Sequence, residues 1–357
     1  MRGRPTASGR HRMWDRGAPT KGVAVAEPMS QDWLNQVDEE IVAPEQRIVD
    51  PHHHLWPRGG ALPYGLPELT ADAVAAGHLV ERTVFVECRA AYRPDGPRHL
   101  APVGETEFVA GVATNDPRHL IGGIVAHADL TDLDHLDEVI DAHRVAGRGL
   151  FRGIRHAGSH PVEPEALMIP GRAPAGLYAD TDFRRGVERL GSLDLTYDTW
   201  HYHYQNLEFA DLARAVPNTL IVLDHLGTPL GVGRFAGQRE EIFADWKVTI
   251  AEIAKCENVV AKLGGLAMPD NGFGWHTAAR PPTSDEFVAA QARYYLHAIE
   301  CFGPERCMFE SNFPVDRYSL SYKVLWNGLK KIAAPFSDSE RDAMFRGTAT
   351  RVYRLEG

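Results

Sequence analysis

The chain has 357 residues, of which 44% are hydrophobic and 24% are charged, and its formal net charge is −10. Binding to nucleic acid or to an anionic membrane calls for a basic face, so the charge argues against both as partners. Four cysteines, Cys88, Cys256, Cys301 and Cys307, show no CxxC spacing. The sequence therefore predicts neither a disulfide framework nor a cysteine-rich zinc site, and a reducing cytoplasm is the expected location.

The first 28 residues are basic and lack the apolar central run of a secretory signal. No segment of roughly 18 apolar residues is present that could span a membrane. We interpret residues 1–28 as a flexible N-terminal tail and residues 29–357 as one domain.

Short apolar, β-branched segments recur along the chain, and each is followed by a longer segment with helical periodicity. The strand candidates are 47–54, 82–90, 119–130, 150–158, 193–203, 219–227, 258–268 and 307–314. The helix candidates are 70–81, 103–115, 133–147, 181–191, 207–217, 239–256, 283–303 and 321–334. Eight alternating units predict an α/β protein with a closed (β/α)₈ TIM barrel. An open doubly wound sheet is the alternative, weakened because no phosphate-binding glycine motif follows the first strand.

Residues near the ends of these segments predict helix boundaries and loops. Thr70 and Thr181 stand where N-caps are expected, and Gly77, Gly147 and Gly303 fall near helix ends. Two long connections, 159–180 and 269–284, are predicted to shape the mouth of a substrate site, with plain insertions as the alternative. Residues 337–355 are expected to form a terminal helix pair packed on the barrel.

The first strand candidate ends in three consecutive histidines, "IVDPHHHLWP". Because side chains alternate faces along a strand, Asp50, His52 and His54 are expected to share one face, with His53 on the other. Two imidazoles separated by one residue can both reach one divalent ion. The pattern also occurs in ordinary surface histidines, so its place at the end of a first barrel strand is what favours a metal site.

Three motifs carry a resemblance to a known family. The segments "DPHHHLW", "VLDHLGTP" and "RCMFESNFPVD", in this order, resemble amidohydrolase family 2, metal-dependent TIM-barrel hydrolases that include sugar lactonases and 2-pyrone-dicarboxylate lactonases. The resemblance runs from Arg47 to Leu355. It implies a barrel in which His52 and His54 bind a divalent metal, with zinc expected first and manganese as the alternative.

The same resemblance implies further histidine ligands from the fifth and sixth strands. "DHLG" supplies His225 for the sixth strand. For the fifth, His203 is preferred because its Trp-x-x-His-x-Gln spacing is similar to that of the family, whereas His201 is expected to be a loop histidine in water.

The last strand departs from the family pattern, which typically reads Ser-Asp-Trp-Pro there. This chain has Asn312 in place of the aspartate. Asparagine can offer a carbonyl oxygen but cannot act as a general base, so activity without a metal stays open. The predicted catalytic residues are Asn312, Glu87, Arg155 and His225, with Glu87 placed first among the carboxylates near strand ends. Its alternative role is a charge satisfied by an arginine of the barrel.

Other side chains near strand ends are predicted to contact a small-molecule carboxylate, lactone or aromatic substrate. They are Arg155, His156, Trp56, Tyr64, Trp200, Tyr202, Lys262 and Phe313. Structural ion pairs and core packing are the alternatives for these residues.

The predicted activity is metal-dependent hydrolysis of a lactone or similar cyclic ester, by attack of a metal-activated water on the carbonyl. The first alternative is a decarboxylase acting on an aromatic or muconate-type acid on the same barrel. A metal-independent lactonase and a binding protein without catalysis are the others, and assembly into a homo-oligomer is left open.

Overall fold

The computed structural model describes residues 30–57 and 63–355. The predicted tail, residues 1–28, lies outside the described residues. None of the helices in the described part is long and apolar enough to cross a membrane.

Eight parallel strands form one sheet in which neighbours in sequence are neighbours in space. The strands are β1 (Arg47–His53), β2 (Leu79–Val86), β3 (Ile121–Ala126), β4 (Phe151–Arg155), β5 (Thr196–Thr199), β6 (Ile221–Leu223), β7 (Val259–Leu263) and β8 (Cys307–Phe309). The two edges meet where His54 N donates to Phe313 O at 2.8 Å and Asn312 N donates to His52 O at 3.0 Å. The predicted TIM barrel is confirmed, and the open-sheet alternative is wrong.

Each of the eight predicted helical segments contains helix in the structure, but the segment 70–81 is helical only as far as Ala75, and its residues 79–81 belong to β2. The helices are α1 (Gln31–Leu34), α2 (Leu66–Thr70), α3 (Val103–Thr114), α4 (Leu136–Ala146), α5 (Thr181–Ser192), α6 (Asn206–Ala215), α7 (Arg239–Ala254), α8 (Ser284–Phe302), α9 (Tyr322–Ala333), α10 (Asp338–Asp342) and α11 (Thr348–Val352). One π-helical turn, Ala71–Ala75, continues α2, and another, Ala343–Gly347, joins α10 to α11. The predicted C-terminal pair is therefore one continuous helical run.

Two of the predicted helix starts were wrong. Thr70 is the last residue of α2, which begins earlier with a proline in its first turn. Thr181 is the first helical residue of α5, and the N-cap is Asp180, whose carboxylate accepts from Phe183 N at 2.8 Å. An aspartate one residue earlier satisfies the free N–H groups as well as a threonine would. The expected glycines are confirmed, since Gly147 and Gly303 are the C-caps of α4 and α8.

The core has an inner and an outer part. Alternate strand residues fill the barrel interior, and the end of α11 joins them there through Val352 and Tyr353. The opposite residues of the strands pack against the surrounding helices in a larger cluster that includes Ile48, Phe85 and Ile154. The C-terminal helix α11 therefore packs against the inward-facing residues of the strands. The barrel opens to solvent at the carboxyl ends of the strands.

Strand β1 contains an irregularity that corrects one prediction. Its register against β2 shifts between Asp50 and His53. The Asp50 carboxylate accepts from Ser311 N at 3.0 Å and from the Tyr322 hydroxyl at 3.0 Å, so it does not join His54 on one face. Burial raises the pKa of Asp50 to about 6. His53 packs on Phe85 in the outer cluster, with ring centroids 5.9 Å apart.

Candidate active site

A cavity of about 330 Å³ opens at the carboxyl ends of the strands. Its size lies near the lower end of the roughly 300–1,000 Å³ common for small-molecule sites. The predicted mouth loop 159–180 lines it through Ser159 and residues 169–174. The second loop, 269–284, lines none of it, which corrects the prediction. Instead, the Asp270 carboxylate accepts from Met168 N at 2.7 Å and Ile169 N at 3.0 Å and so holds the first loop.

Three histidines meet at the floor of this cavity. His52 Nε2 and His54 Nε2 are 3.3 Å apart, and the ring centroids of His52 and His225 are 4.6 Å apart. His54 Nδ1 donates a hydrogen bond to Val86 O at 2.8 Å, so Nε2 carries the free lone pair. Burial lowers the pKa of His52 and His54 well below the ordinary value, which keeps both imidazoles neutral.

Glu310 supplies a fourth group that the sequence analysis did not assign to the metal. Its Oε1 is 2.7 Å from His225 Nδ1, and its Oε2 is 2.8 Å from His52 Nδ1. One ligand atom from each of these three residues lies within 4.8 Å of the others. Burial acts to raise the pKa of Glu310, but His225 and His52 hold it at about 2. The signal in the sequence was a carboxylate directly after β8.

His203 and His201 do not join this cluster, which corrects the predicted ligand set. His203 Nδ1 accepts from Leu230 N at 3.3 Å, and its ring packs on Phe235. His201 is fully buried rather than in water, between the Tyr178 hydroxyl at 3.0 Å and Asn206 Oδ1 at 3.0 Å. With both nitrogens of His201 bonded, β5 brings no histidine to the cavity.

A buried ion pair lies beside the histidines. Arg155 Nε donates to Glu87 Oε1 at 3.0 Å, and Arg155 Nη1 lies 3.4 Å from Asp224 Oδ2 and 3.5 Å from His52 Nε2. Burial opposes ionisation of Glu87, but Arg155, together with His127 and Arg89, outweighs it and lowers the pKa of the carboxyl. Glu87 and Arg155 both line the cavity, as do His156 and His225.

Lys262 lies below the cavity and does not line it, which corrects its predicted substrate contact. Its Nζ is 3.0 Å from both Asp198 Oδ2 and Asp224 Oδ1, and 3.3 Å from His52 Nδ1. Burial alone would lower the pKa of Lys262, but the two carboxylates raise it. The lysine is thus a buried cation that ties β5 and β6 to the histidine cluster.

The donor set fits a divalent cation. With neutral imidazoles, four buried carboxylates face two buried cations, so two formal negative charges remain uncompensated; they are Glu87, Asp198, Asp224 and Glu310 with Arg155 and Lys262. One carboxylate oxygen of this group, Glu87 Oε2, has neither a hydrogen-bond nor an ion-pair partner in the described part of the chain. Buried charges of this kind are normally paired or bind a metal. His52, His54, His225 and Glu310 are the residues that could hold it.

Asn312 lines the cavity next to a second unusual carboxyl. Its Nδ2 donates to Asp316 Oδ1 at 2.9 Å, and burial raises the pKa of Asp316 to about 7. The φ of Asn312 is 55°, in the left-handed region that asparagine tolerates better than most residues. Asn312 therefore orients Asp316 rather than acting as a base.

The predicted aromatic contacts divide into two groups. Trp56 and Trp200 line the cavity. Tyr64, Tyr202 and Phe313 do not, which corrects three predictions. The hydroxyl of Tyr64 donates to Asp72 at 2.9 Å, that of Tyr202 accepts from Gly171 N at 2.7 Å, and Phe313 is fully buried in the outer cluster.

Several residues of the cavity wall were missed as site residues. His127 directly follows β3, and its Nδ1 lies 2.9 Å from Arg155 O. Arg89, Ser159 and Arg172 also line the cavity. Only His127 had a signal, as a histidine directly after a β-like run; the other three lie in loops whose paths are set by tertiary contacts.

Comparisons with known proteins agree with this architecture. The family model described as "Amidohydrolase" matches residues 49–355. The uncharacterized protein y4mH of Sinorhizobium fredii is 31% identical over 86% of this chain and 98% of its own length. L-fucono-1,5-lactonase of Burkholderia multivorans is 27% identical over 86% of this chain and 96% of its own length.

A solved structure of an amidohydrolase from Burkholderia multivorans with bound Zn superimposes with a TM-score of 0.66 at 26% identity, covering 87% of this chain and 99% of that one. The family model covers most of the barrel, from Val49 in β1 to the residues after α11. The chain belongs to the amidohydrolase family and is an enzyme of the amidohydrolase superfamily.

Proposed function

We propose that this enzyme opens a lactone or a similar cyclic ester by metal-dependent hydrolysis. The observation that carries the proposal is the meeting of His52, His54 and His225 beside the Arg155–Glu87 pair at the floor of one cavity. The relative that is an L-fucono-1,5-lactonase supports a cyclic ester as the substrate class.

The metal site of the proposal consists of His52, His54 and His225 with Glu310. A divalent metal bound there, zinc first, supplies Lewis acidity, which polarises a carbonyl and lowers the pKa of water. Glu310 holds His225 through Nδ1 and leaves its Nε2 lone pair available, the outer-shell arrangement common to metal-binding histidines.

Glu87 is the general base of the proposal. Its Oε1 is held by Arg155, its Oε2 has no hydrogen-bond partner in the described chain, and its pKa is lowered, so the group is ionised at neutral pH. It would take the proton of the attacking water and return it to the alkoxide that leaves when the ring opens. Arg155, with its charge fixed next to the cavity, would stabilise negative charge that develops on the carbonyl oxygen.

A decarboxylase is the second candidate, favoured by one observation. Asn312 occupies the position of the aspartate that the resemblance assigns to proton transfer from water, and its amide is bonded to Asp316. Decarboxylation involves no attack by water, so it needs no base at position 312.

One assay separates the candidates. Purified enzyme, with added Zn²⁺ or Mn²⁺ and after chelation, is incubated with a panel of γ- and δ-lactones and aromatic acids. The proposal expects base consumption without carbon dioxide release from a lactone, and loss of this activity in Glu87→Gln. Carbon dioxide release from an acid with no lactone turnover would replace it by the decarboxylase. Full activity of the chelated enzyme would remove the metal from the mechanism.

A further inference from the structure

The polar side chains of the cavity wall away from His52, His54 and His225 are mostly cations and hydrogen-bond donors, set among apolar residues. Arg89 follows β2, His156 and Ser159 follow β4, and Arg172 lies in the loop 159–180. Glu87 is the one carboxylate residue on the described cavity lining, and it is bonded to Arg155. The wall therefore offers several donors, and its one carboxylate is paired with Arg155.

The exposure of the side chains orders these groups by depth. The side chain of His52 is fully buried, those of Glu87 and Arg155 are 8% exposed, and that of His156 is 17% exposed. Arg89 and Arg172 are exposed residues. These donors thus extend from the reaction centre to the entrance of the cavity. A substituent of a bound ring would lie along them.

Neither entrance arginine has an ion-pair partner within residues 30–57 and 63–355. Most other surface arginines of this acidic chain do, for example Arg189 with Asp137 at 2.9 Å. Arg89 acts on Glu87 only at longer range, where it helps to lower the pKa of that carboxyl. Its φ is 62°, in the left-handed region, a backbone conformation that costs an arginine energy.

Two deeper groups point to a ligand independently of the arginines. His156 Nδ1 accepts from Leu130 N at 3.1 Å, so the proton of the neutral ring is on Nε2, which makes that atom a donor. Ser159 is fully buried, and its Oγ has no partner among the described residues. A buried hydroxyl left without a partner is uncommon, and a bound acceptor would satisfy it.

We propose that Arg89, His156, Ser159 and Arg172 form a subsite for an anionic oxygen group that the substrate carries away from its reacting carbonyl. A carboxylate and a phosphate ester share this chemistry, since guanidinium groups bind both through paired N–H donors. In a chain with net charge −10, a local excess of positive charge at the entrance also attracts anions. This inference rests on the proposed function for the lactone ring of the substrate. The anionic group of the substrate is inferred from the cavity wall alone.

The first experiment measures hydrolysis of matched δ-lactones that carry a carboxylate, a phosphate ester or a neutral carboxamide at the same ring position. Wild-type enzyme is expected to show at least tenfold higher kcat/KM for one of the anionic lactones. Arg89→Gln and Arg172→Gln are expected to reduce this preference about tenfold each, mainly through KM. Equal turnover of all three lactones, or an equal loss on all three in the variants, would overturn the subsite.

The matched control is Arg118→Gln. Arg118 is exposed and precedes β3, at the end of the barrel opposite to the cavity, so the preference should stay as in wild type. Thermal unfolding of each variant checks that the fold is intact.

The second experiment does not depend on turnover. Calorimetry measures binding of glutarate and of inorganic phosphate to the metal-loaded enzyme, and to the Arg89→Gln/Arg172→Gln double variant. We expect at least tenfold weaker binding in the double variant and weaker wild-type binding at high salt. Arginine-dependent binding without any lactone turnover would keep the subsite and reject the proposed function. Lactone turnover together with unchanged anion binding in the double variant would keep the proposed function and reject the subsite.

Discussion

Glu310 accepts a hydrogen bond from Nδ1 of His225 at 2.7 Å, and both side chains are buried. The carboxylate fixes the imidazole tautomer and the direction of its other nitrogen. Its second oxygen lies 2.8 Å from Nδ1 of His52. Glu310, the residue directly after β8, therefore orients both a histidine that follows β6 and a histidine of β1.

Glu310→Gln should weaken metal binding about 10- to 100-fold, because an amide aligns the imidazoles less well than a carboxylate and removes one negative charge. Competition with a chromogenic chelator measures the affinity. Unchanged affinity would show that Glu310 has no part in the site.

His52→Ala and His225→Ala should each lose most of the bound metal, since each removes a donor from a set of few ligands. Metal content by mass spectrometry after purification gives the stoichiometry. His203→Asn is the control, because His203 packs on Phe235 away from the cluster. Equal metal loss in all three variants would contradict the assignment.

Glu87→Gln should lower kcat about 10²- to 10⁴-fold with little change in KM, as expected for loss of a general base. Attraction by Arg155 keeps the pKa of Glu87 below its ordinary value, so wild-type activity should persist at neutral pH and fall only as pH drops through that lowered pKa. The variant should lack this acidic limb. A pH–rate profile measures both, and an unchanged limb would assign it to another group.

Asn312→Asp should reduce the free energy of unfolding by roughly 1–3 kcal/mol at pH 8 and by less at pH 5. The new carboxylate would meet Asp316, whose pKa burial already raises to about 7, and one proton must be retained between them. A carboxyl whose folded pKa exceeds its unfolded value stabilises the fold at low pH, and this contribution is lost as pH rises. Urea unfolding at both pH values tests the sign, and a larger loss at pH 5 would be the opposite result.

Asp270→Ala should release the loop 159–180. Two backbone N–H groups, those of Met168 and Ile169, lose their acceptor, at a cost of roughly 1–3 kcal/mol. Limited proteolysis should cut inside this loop faster, and KM for the substrate should rise. Asp285→Ala, which removes an exposed carboxylate paired with Lys331, is the matched control. Equal cleavage rates in both variants would argue against a holding role.

The alternation of strand and helix patterns predicted the barrel because local periodicity depends on which faces are buried. The same reasoning failed at Asp50, where a register shift in β1 reverses the expected face. It also failed for His203 and Phe313, which follow strands in sequence but turn into the packing of neighbouring segments. Loop direction after a strand is decided by long-range contacts that no local pattern records.

Local patterns and motifs were enough to predict the order of the eight strands, the place of His52, His54 and His225 at strand ends, and the family. The pairing of the buried charges depends on the folded barrel. Glu310 joins His225 across 85 positions and Arg155 joins Glu87 across 68, because barrel closure brings distant strand ends to one cavity. Burial there makes each unpaired charge costly, so the pairing determines the chemistry of the site.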